Sequence, residues 1–295
     1  MKTYLLSLCL FFNISLIASD VKTIIIVNKD NNDPIPFAIV TFYNIDNPVG
    51  GHYANEKGIL KIQFPENINR IEFSCLGFVS KSFSLQKELS DTVKLEIGHY
   101  MLPEIVINRN KQGERGFILG YVKRNHWRSV GYFKNTEIAV YIPNSLGYKP
   151  FITNLFYKLR QTENVKNAFR IHIYKVKEDL FEPGEDLVLS NLIFYLEGKY
   201  NSHTIDFDIS EFNIEFPLEG VFIGIEWIGL INNAGIKNTK KVNNYPSVLT
   251  TYKVDKKYSF YRGVFTNKLW VNKTLSSTTE ENTVSNFAIG MKVKR

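Results

Sequence analysis

The chain has 295 residues, enough for two ordinary domains at about 100–200 residues each. With 44% hydrophobic residues, including 22 Phe and 16 Tyr, it is neither a disordered nor a low-complexity chain, and the aromatic and β-branched bias favours strands over helices. The formal charge of +7 is carried by Lys and Arg scattered through strands and loops, so no nucleic-acid partner is expected from it.

Residues 1–19 read as a secretory signal peptide: Lys2, an apolar run from Tyr4 to Ile17, then the small residues Ala18 and Ser19. The chain is therefore expected to be exported to the periplasm, the outer membrane or the cell surface, with no transmembrane span after processing. Cys9 lies inside the apolar run, where no lipid anchor would be attached, and its removal leaves Cys75 alone. A single Cys makes no internal disulfide, and alternation with Ile71 and Phe73 marks Cys75 as a buried small hydrophobe.

From residue 22 to 108, short apolar alternations recur at 23–27, 37–43, 59–64, 71–75, 79–85, 92–97 and 104–107. Turn-forming residues at 31–34, 47–51, 56–58 and 65–67 separate them, which predicts a small β-sandwich. Residues 109–116, polar and Gly-containing, read as a linker. From 117 to 295 strands are predicted at 137–142, 151–160, 169–176, 188–196, 203–209, 221–230, 247–254, 258–265, 269–272 and 286–293. Turns include 182–185 and 216–220, no helical stripe interrupts the series, and the pattern indicates a larger, jelly-roll-like sandwich. Its central strand is the run Val221 to Leu230, apolar on both faces except for Glu226, whose carboxylate is costly to bury unpaired.

Four stretches carry a family resemblance. Ile35-Pro36-Phe37-Ala38-Ile39-Val40, Asn55-Glu56-Lys57-Gly58-Ile59-Leu60, Phe73-Ser74-Cys75-Leu76-Gly77-Phe78 and Leu102-Pro103-Glu104-Ile105-Val106-Ile107 resemble, in order and spacing, the successive signatures of the carboxypeptidase-regulatory-like domain. The chain departs from that pattern at Val27-Asn28, where the family usually has Gly, and at Ala54-Asn55, where Thr-Asp is common. The resemblance implies a transthyretin-like sandwich over residues 22–108, without catalytic residues of its own. Such domains are common in exported and outer-membrane proteins of Bacteroidetes-type bacteria. The remaining region resembles the uncharacterised sandwich that follows this domain in similar exported proteins, through FRIHIYKV, TIDFDIS and GVFIGIEWI.

Little in the sequence points to chemistry. The five His, at 52, 99, 126, 172 and 203, show no paired zinc-site spacing, and no nucleophile elbow, phosphate loop or dinucleotide fingerprint is present. No cofactor and no metal are expected, and the chain is read as non-enzymatic. It is expected to bind an envelope glycan or an outer-membrane protein, with Trp127 and Trp270, each flanked by polar residues, as candidate platform rings among Tyr132, Tyr141, Tyr148, Tyr195 and Tyr200. Two alternatives stand beside it. One is a glycan hydrolase using Glu226 with Asp206 or Asp208, which requires two carboxylates converging in an open cleft. The other is a structural accessory of an outer-membrane assembly, docking through an exposed edge strand.

Overall fold

The computed structural model describes residues 21–84, 89–98, 116–122, 126–131, 135–232, 235–236, 246–251, 254, 256–266, 268–272 and 285–295, with the backbone alone at 126–131, 232 and 235–236. The signal peptide, the strand expected at 104–107 and residues 109–115 of the linker lie outside the described residues.

Seven strands form the first sandwich: β1 (Lys22–Asn28), β2 (Ile39–Asn44), β3 (Asn47–Tyr53), β4 (Ile59–Ile62), β5 (Arg70–Ser74), β6 (Lys81–Ser84) and β7 (Thr92–Leu95). They make two sheets, β4-β1-β7 and β3-β2-β5-β6, with β1 and β7 parallel. Alternation along each strand turns Ile24, Ile26, Val40, Phe42, Leu60, Phe73 and Val93 into one core, and Cys75 is buried there with a free thiol.

Strand β3 falls where Pro48, Gly50 and Gly51 suggest a break. It is an edge strand, the position in a sheet that tolerates Pro. Gly51 has a packing reason: a Cβ there would overlap the Val40 carbonyl and the ring of Phe265 from the second sandwich. Gly51→Ala is therefore expected to destabilise the protein by about 1–3 kcal/mol through overpacking. Gly50→Ala, where the nearest atom is the Phe42 ring at 4.0 Å, serves as the mild control. Paired urea melts of the two variants test the difference.

The second half contains β8 (Phe117–Gly120), β9 (His126–Gly131), β10 (Thr136–Ile142), β11 (Phe151–Lys177), β12 (Glu182–Asp186), β13 (Ile193–Asp208) and β14 (Ile214–Glu215). They are followed by β15 (Val221–Asn232), β16 (Gly235–Ile236), β17 (Ser247–Thr251), β18 (Ser259–Gly263), β19 (Val271–Asn272) and β20 (Ile289–Lys294). All are connected in one 13-stranded hydrogen-bonded system, and the only helix among the described residues is a short 3-10 turn, Ser210–Phe212.

The system doubles into two layers because β11 and β13 are long antiparallel strands with register breaks between Leu159 and Gln161 and between Gln161 and Val165. The first part of β11 pairs with β20 and β17, and the second part with β15. β15 is held between β10 and β11, as its two apolar faces predict. Leu155, Tyr157, Phe169, Ile171, Ile223, Ile225, Met291 and Val293 fill the space between layers, where the Tyr157 hydroxyl donates to the Gly224 carbonyl at 3.1 Å. The predicted strands 151–160 and 169–176 are thus one continuous strand, and 203–209 is continuous with the end of 188–196 in β13. The predicted turn at 182–185 is strand β12, which pairs with the end of β11. No helix among the described residues is long and apolar enough to cross a membrane.

Candidate functional site

Strands β10, β11 and β15 each put apolar residues on the inner face, so their alternate residues share the outer one. Register aligns those outer residues across the sheet: Glu137 lies opposite both Arg262 and Glu226, and Glu226 lies opposite Arg170. Four charges therefore run in a row across β18, β10, β15 and β11, in the order Arg262, Glu137, Glu226, Arg170. One pleat further come Ala139, Gly224 and His172. Gly224 keeps the row compact, since a Cβ there would stand 3.0 Å from Tyr174, 3.1 Å from Glu137 Oε1 and 3.1 Å from the His172 Cβ.

Glu137, Arg170 and Glu226 are at most 2% exposed, so each needs a partner. Arg170 Nη1 reaches both oxygens of Glu226, at 3.3 and 3.2 Å. Arg262 Nε donates to Glu137 Oε2 at 2.7 Å, and the Tyr174 hydroxyl donates to Glu137 Oε1. The first sandwich completes the row. Tyr53 donates its hydroxyl to Glu226 Oε1 at 2.5 Å, and Arg170 Nη2 donates to the Phe37 carbonyl at 2.6 Å. Asn191 accepts from Arg170 Nε at 2.8 Å and donates to the Pro36 carbonyl at 2.8 Å. Phe37 is held at φ 54°, a left-handed conformation costly for a large residue, with its carbonyl on the buried guanidinium.

Apolar packing seals this junction. Phe37 and Tyr53 cluster with Ala168, Ile228, Ile231 and Phe265. On the rim, Lys268 Nζ lies 3.0 Å from the Tyr43 hydroxyl and 3.4 Å from Glu72, and Lys166 lies 3.7 Å from Glu56. The first sandwich is thus a cover over one half of the outer sheet face.

His172 links the row to β12. Its Nδ1 is 2.6 Å from Asp186 Oδ2 and its Nε2 is 3.1 Å from Glu226 Oε2. A neutral imidazole has one N–H, whereas two carboxylate neighbours require two, so His172 is an imidazolium. Burial pulls its pKa down, but the charge of Glu137 and the hydrogen bonds to Asp186 and Glu226 outweigh burial and raise it from 6.5 to about 10. Glu226 mirrors it: burial pushes its pKa up, and Arg170, His172 and Tyr53 overcome that and lower it from 4.5 to about 2.

Oxygen and nitrogen atoms of Glu137, His172 and Glu226 all lie within 4.8 Å of one another, which raises the question of a metal. The charges are already balanced, with Glu137, Asp186 and Glu226 against Arg170, Arg262 and the His172 imidazolium. Every oxygen of the two glutamates has a donor. A divalent cation would replace one proton by two charges beside two guanidinium groups, so the residues present do not fit one.

No family model matches this chain, and neither a curated protein nor a solved structure matches it.

The candidate acid-base pair does not form. Glu226 is closed against Arg170 beneath the first sandwich, whereas Asp206 is exposed on β13, accepting from Asn154 Nδ2 at 2.8 Å. Asp208, also exposed, accepts from the Ser210 N–H at 2.9 Å. Asp206 lies opposite Phe156 of β11 and Glu226 opposite Arg170, fourteen positions along the same strand, so no shared cleft joins them. The physical reason is that the end of β13 carrying Asp206 and Asp208 borders Asn154 to Phe156 of β11, whereas Glu226 of β15 borders Arg170. Trp270 is half-buried, with its ring 4.5 Å from the Arg262 guanidinium and edge-on to Tyr174 at 5.7 Å. The backbone of Trp127 lies in β9, and its side chain is outside the described residues. Glu137, Arg170, His172, Asp186 and Arg262 escaped sequence reasoning. Their signal is charge at alternate positions, as in Arg170-x-His172 and in Glu137 beside Ile138 and Val140, within strands otherwise built for a core.

Proposed function

We propose that the chain is an exported, non-enzymatic binding protein of the cell envelope that recognises a glycan through the uncovered part of the second sandwich's outer face. A first domain of the carboxypeptidase-regulatory-like type would serve as the cover over the other part. The observation that carries this reading is a connected set of partly exposed rings. Tyr141 lies 4.9 Å from both Phe181 and Tyr258, centroid to centroid, above the buried rings of Phe222 and Phe260. Phe181 is 39% exposed and sits at φ 47° next to exposed Leu180, an arrangement that holds an apolar ring at the surface against backbone preference. Tyr174, buried beside Phe222 across the sheet, packs edge-on against the half-buried ring of Trp270. Sugar rings present C–H faces that pack on such aromatic faces as other apolar groups do.

What supports the absence of catalysis is the closed charge row: the one dense cluster of titratable side chains among the described residues is neutralised, buried and engaged in holding the two sandwiches together. The test is retention of the protein on envelope polysaccharide fractions. Phe181→Ala with Tyr258→Ala is expected to weaken retention by roughly tenfold or more, a loss of about 1.4 kcal/mol, while Asp206→Asn leaves it unchanged. Equal retention of the double-alanine variant and the parent sinks the aromatic-face reading.

A further inference from the structure

We propose that the free edge of β13 between His203 and Asp208 takes up an extended segment of a partner protein as an added strand, and that the segment carries Lys or Arg at alternate positions.

The backbone sets the geometry. Ile209 N–H donates to the Thr153 carbonyl at 2.9 Å, and Asn154 to Leu159 pair in unbroken register with Asp208 to His203. Antiparallel alternation then turns the N–H and C=O groups of His203, Ile205 and Phe207 toward β11 and those of Thr204, Asp206 and Asp208 away from it. Lys158 N–H agrees, since it points to the opposite side of β11 and donates to Ala288. Among the described residues, β13 pairs with β11 alone, so these outward groups face no strand.

Natural edges are blunted by Pro, Lys, bulges or inward charges. The first part of β13 has such devices: Gly198 at φ 111°, Lys199, and a register break opposite Gln161 and Val165. The stretch from His203 to Asp208 has no Pro, Lys or bulge, and its only guards are the outward charges of Asp206 and Asp208, which repel an acidic strand but attract a basic one. Its register is regular, and Ile205 and Phe207 pack on the core. An edge left in this state is a template for strand addition.

Charge selects the occupant. In a chain of net charge +7, this edge displays exposed Asp206 and Asp208 on one face, and the lane continues through exposed Glu211 and Glu215. Hydrogen bonding from Ser210 holds the Asp208 carboxyl below its ordinary range, so it is ionised at neutral pH. Lys292 and Lys294 also act on the Asp208 carboxylate, but they stand on the strand beyond β11, on the side opposite the outward backbone groups of β13. A second copy paired through the same edge would bring aspartates against each other, so a basic segment is the better partner.

The probe is a fluorescein-labelled, N-acetylated Lys-Val-Lys-Val-Lys-Val peptide, titrated with the folded protein and read by anisotropy at two salt concentrations. Saturable binding is expected, weakened roughly tenfold by Thr204→Pro, which removes one outward N–H where an edge tolerates Pro. Asp206→Lys is expected to weaken it as much. The same peptide N-methylated at alternate residues, with its charges intact, should not bind. Because that control alters only the peptide, the test survives any folding defect in the variants. Equal binding of the N-methylated peptide, or no binding of the parent peptide, overturns the proposal. So does a peptide-free dimer, seen by sedimentation, that Thr204→Pro abolishes, since the edge would then belong to a second copy.

Discussion

Arg170→Met should lower the stability of the protein by about 3–5 kcal/mol, the usual cost of leaving a buried charge without its partner. The substitution keeps most of the side-chain volume and removes three interactions at once. Glu226 loses the guanidinium, the Phe37 carbonyl loses its donor, and Asn191 loses the group that orients it between the sandwiches. Adding Glu226→Gln should recover part of the loss, because the buried negative charge that has lost its guanidinium is then gone, although the single amide oxygen can accept from Tyr53 or from His172 but not from both. Urea unfolding of the parent, the single and the double variant gives the comparison. A loss below about 1 kcal/mol in the single variant, the range of exposed ion pairs, would mean that the row contributes little to holding the sandwiches together.

Stability should also fall steeply as the pH is raised above 6.5, and His172 is the cause. Its pKa is about 10 in the folded protein against 6.5 for a free imidazole, so its contribution is complete below pH 6.5 and is lost as the pH rises through about 10. At about 1.4 kcal/mol for each unit, the change is on the order of several kcal/mol. Glu226 acts in the opposite sense: its pKa is lowered from 4.5 to about 2, so its contribution is complete above pH 4.5 and disappears as the pH falls through about 2. The two together place the stability plateau between about pH 4.5 and 6.5. His172→Gln should be less stable than the parent on that plateau and should lack its share of the decline toward pH 10. Identical alkaline slopes for the two proteins would show that His172 is not charged in the folded state.

The sequence carried the fold class and the central strand because both follow from alternation and turn chemistry, which are local. Strand ends were less legible. β3 was hidden by Pro48, Gly50 and Gly51; the reason for Gly51 is the approach of Phe265, more than two hundred positions away. The length of β11 was hidden by Gln161 and its neighbours, whose polar character reads as a turn although they mark only a shift in register. Glu226 stood out as a charge costly to bury unpaired. That the partners are Arg170, His172 and a tyrosine from the other sandwich depends on register and domain docking, neither of which is encoded in spacing along the chain. Asp206 and Asp208 invited a catalytic reading for the same reason: a sequence shows carboxylates but not which stretch of β11 each strand will border.

The position of β20 bears on how the molecule is assembled. This last strand is interior to its layer, between β11 and β8, and Thr153 and Lys292, joined by a hydrogen bond, are 139 residues apart. The layer that contains the first part of β11 therefore cannot be completed until residue 294 is available, and until then β11 has an unpaired edge at 151–157 and the core lacks Met291 and Val293. Folding dominated by pairings this distant in sequence is slow. The nascent chain must remain open until β20 has been made, with an apolar strand edge formed early and paired late.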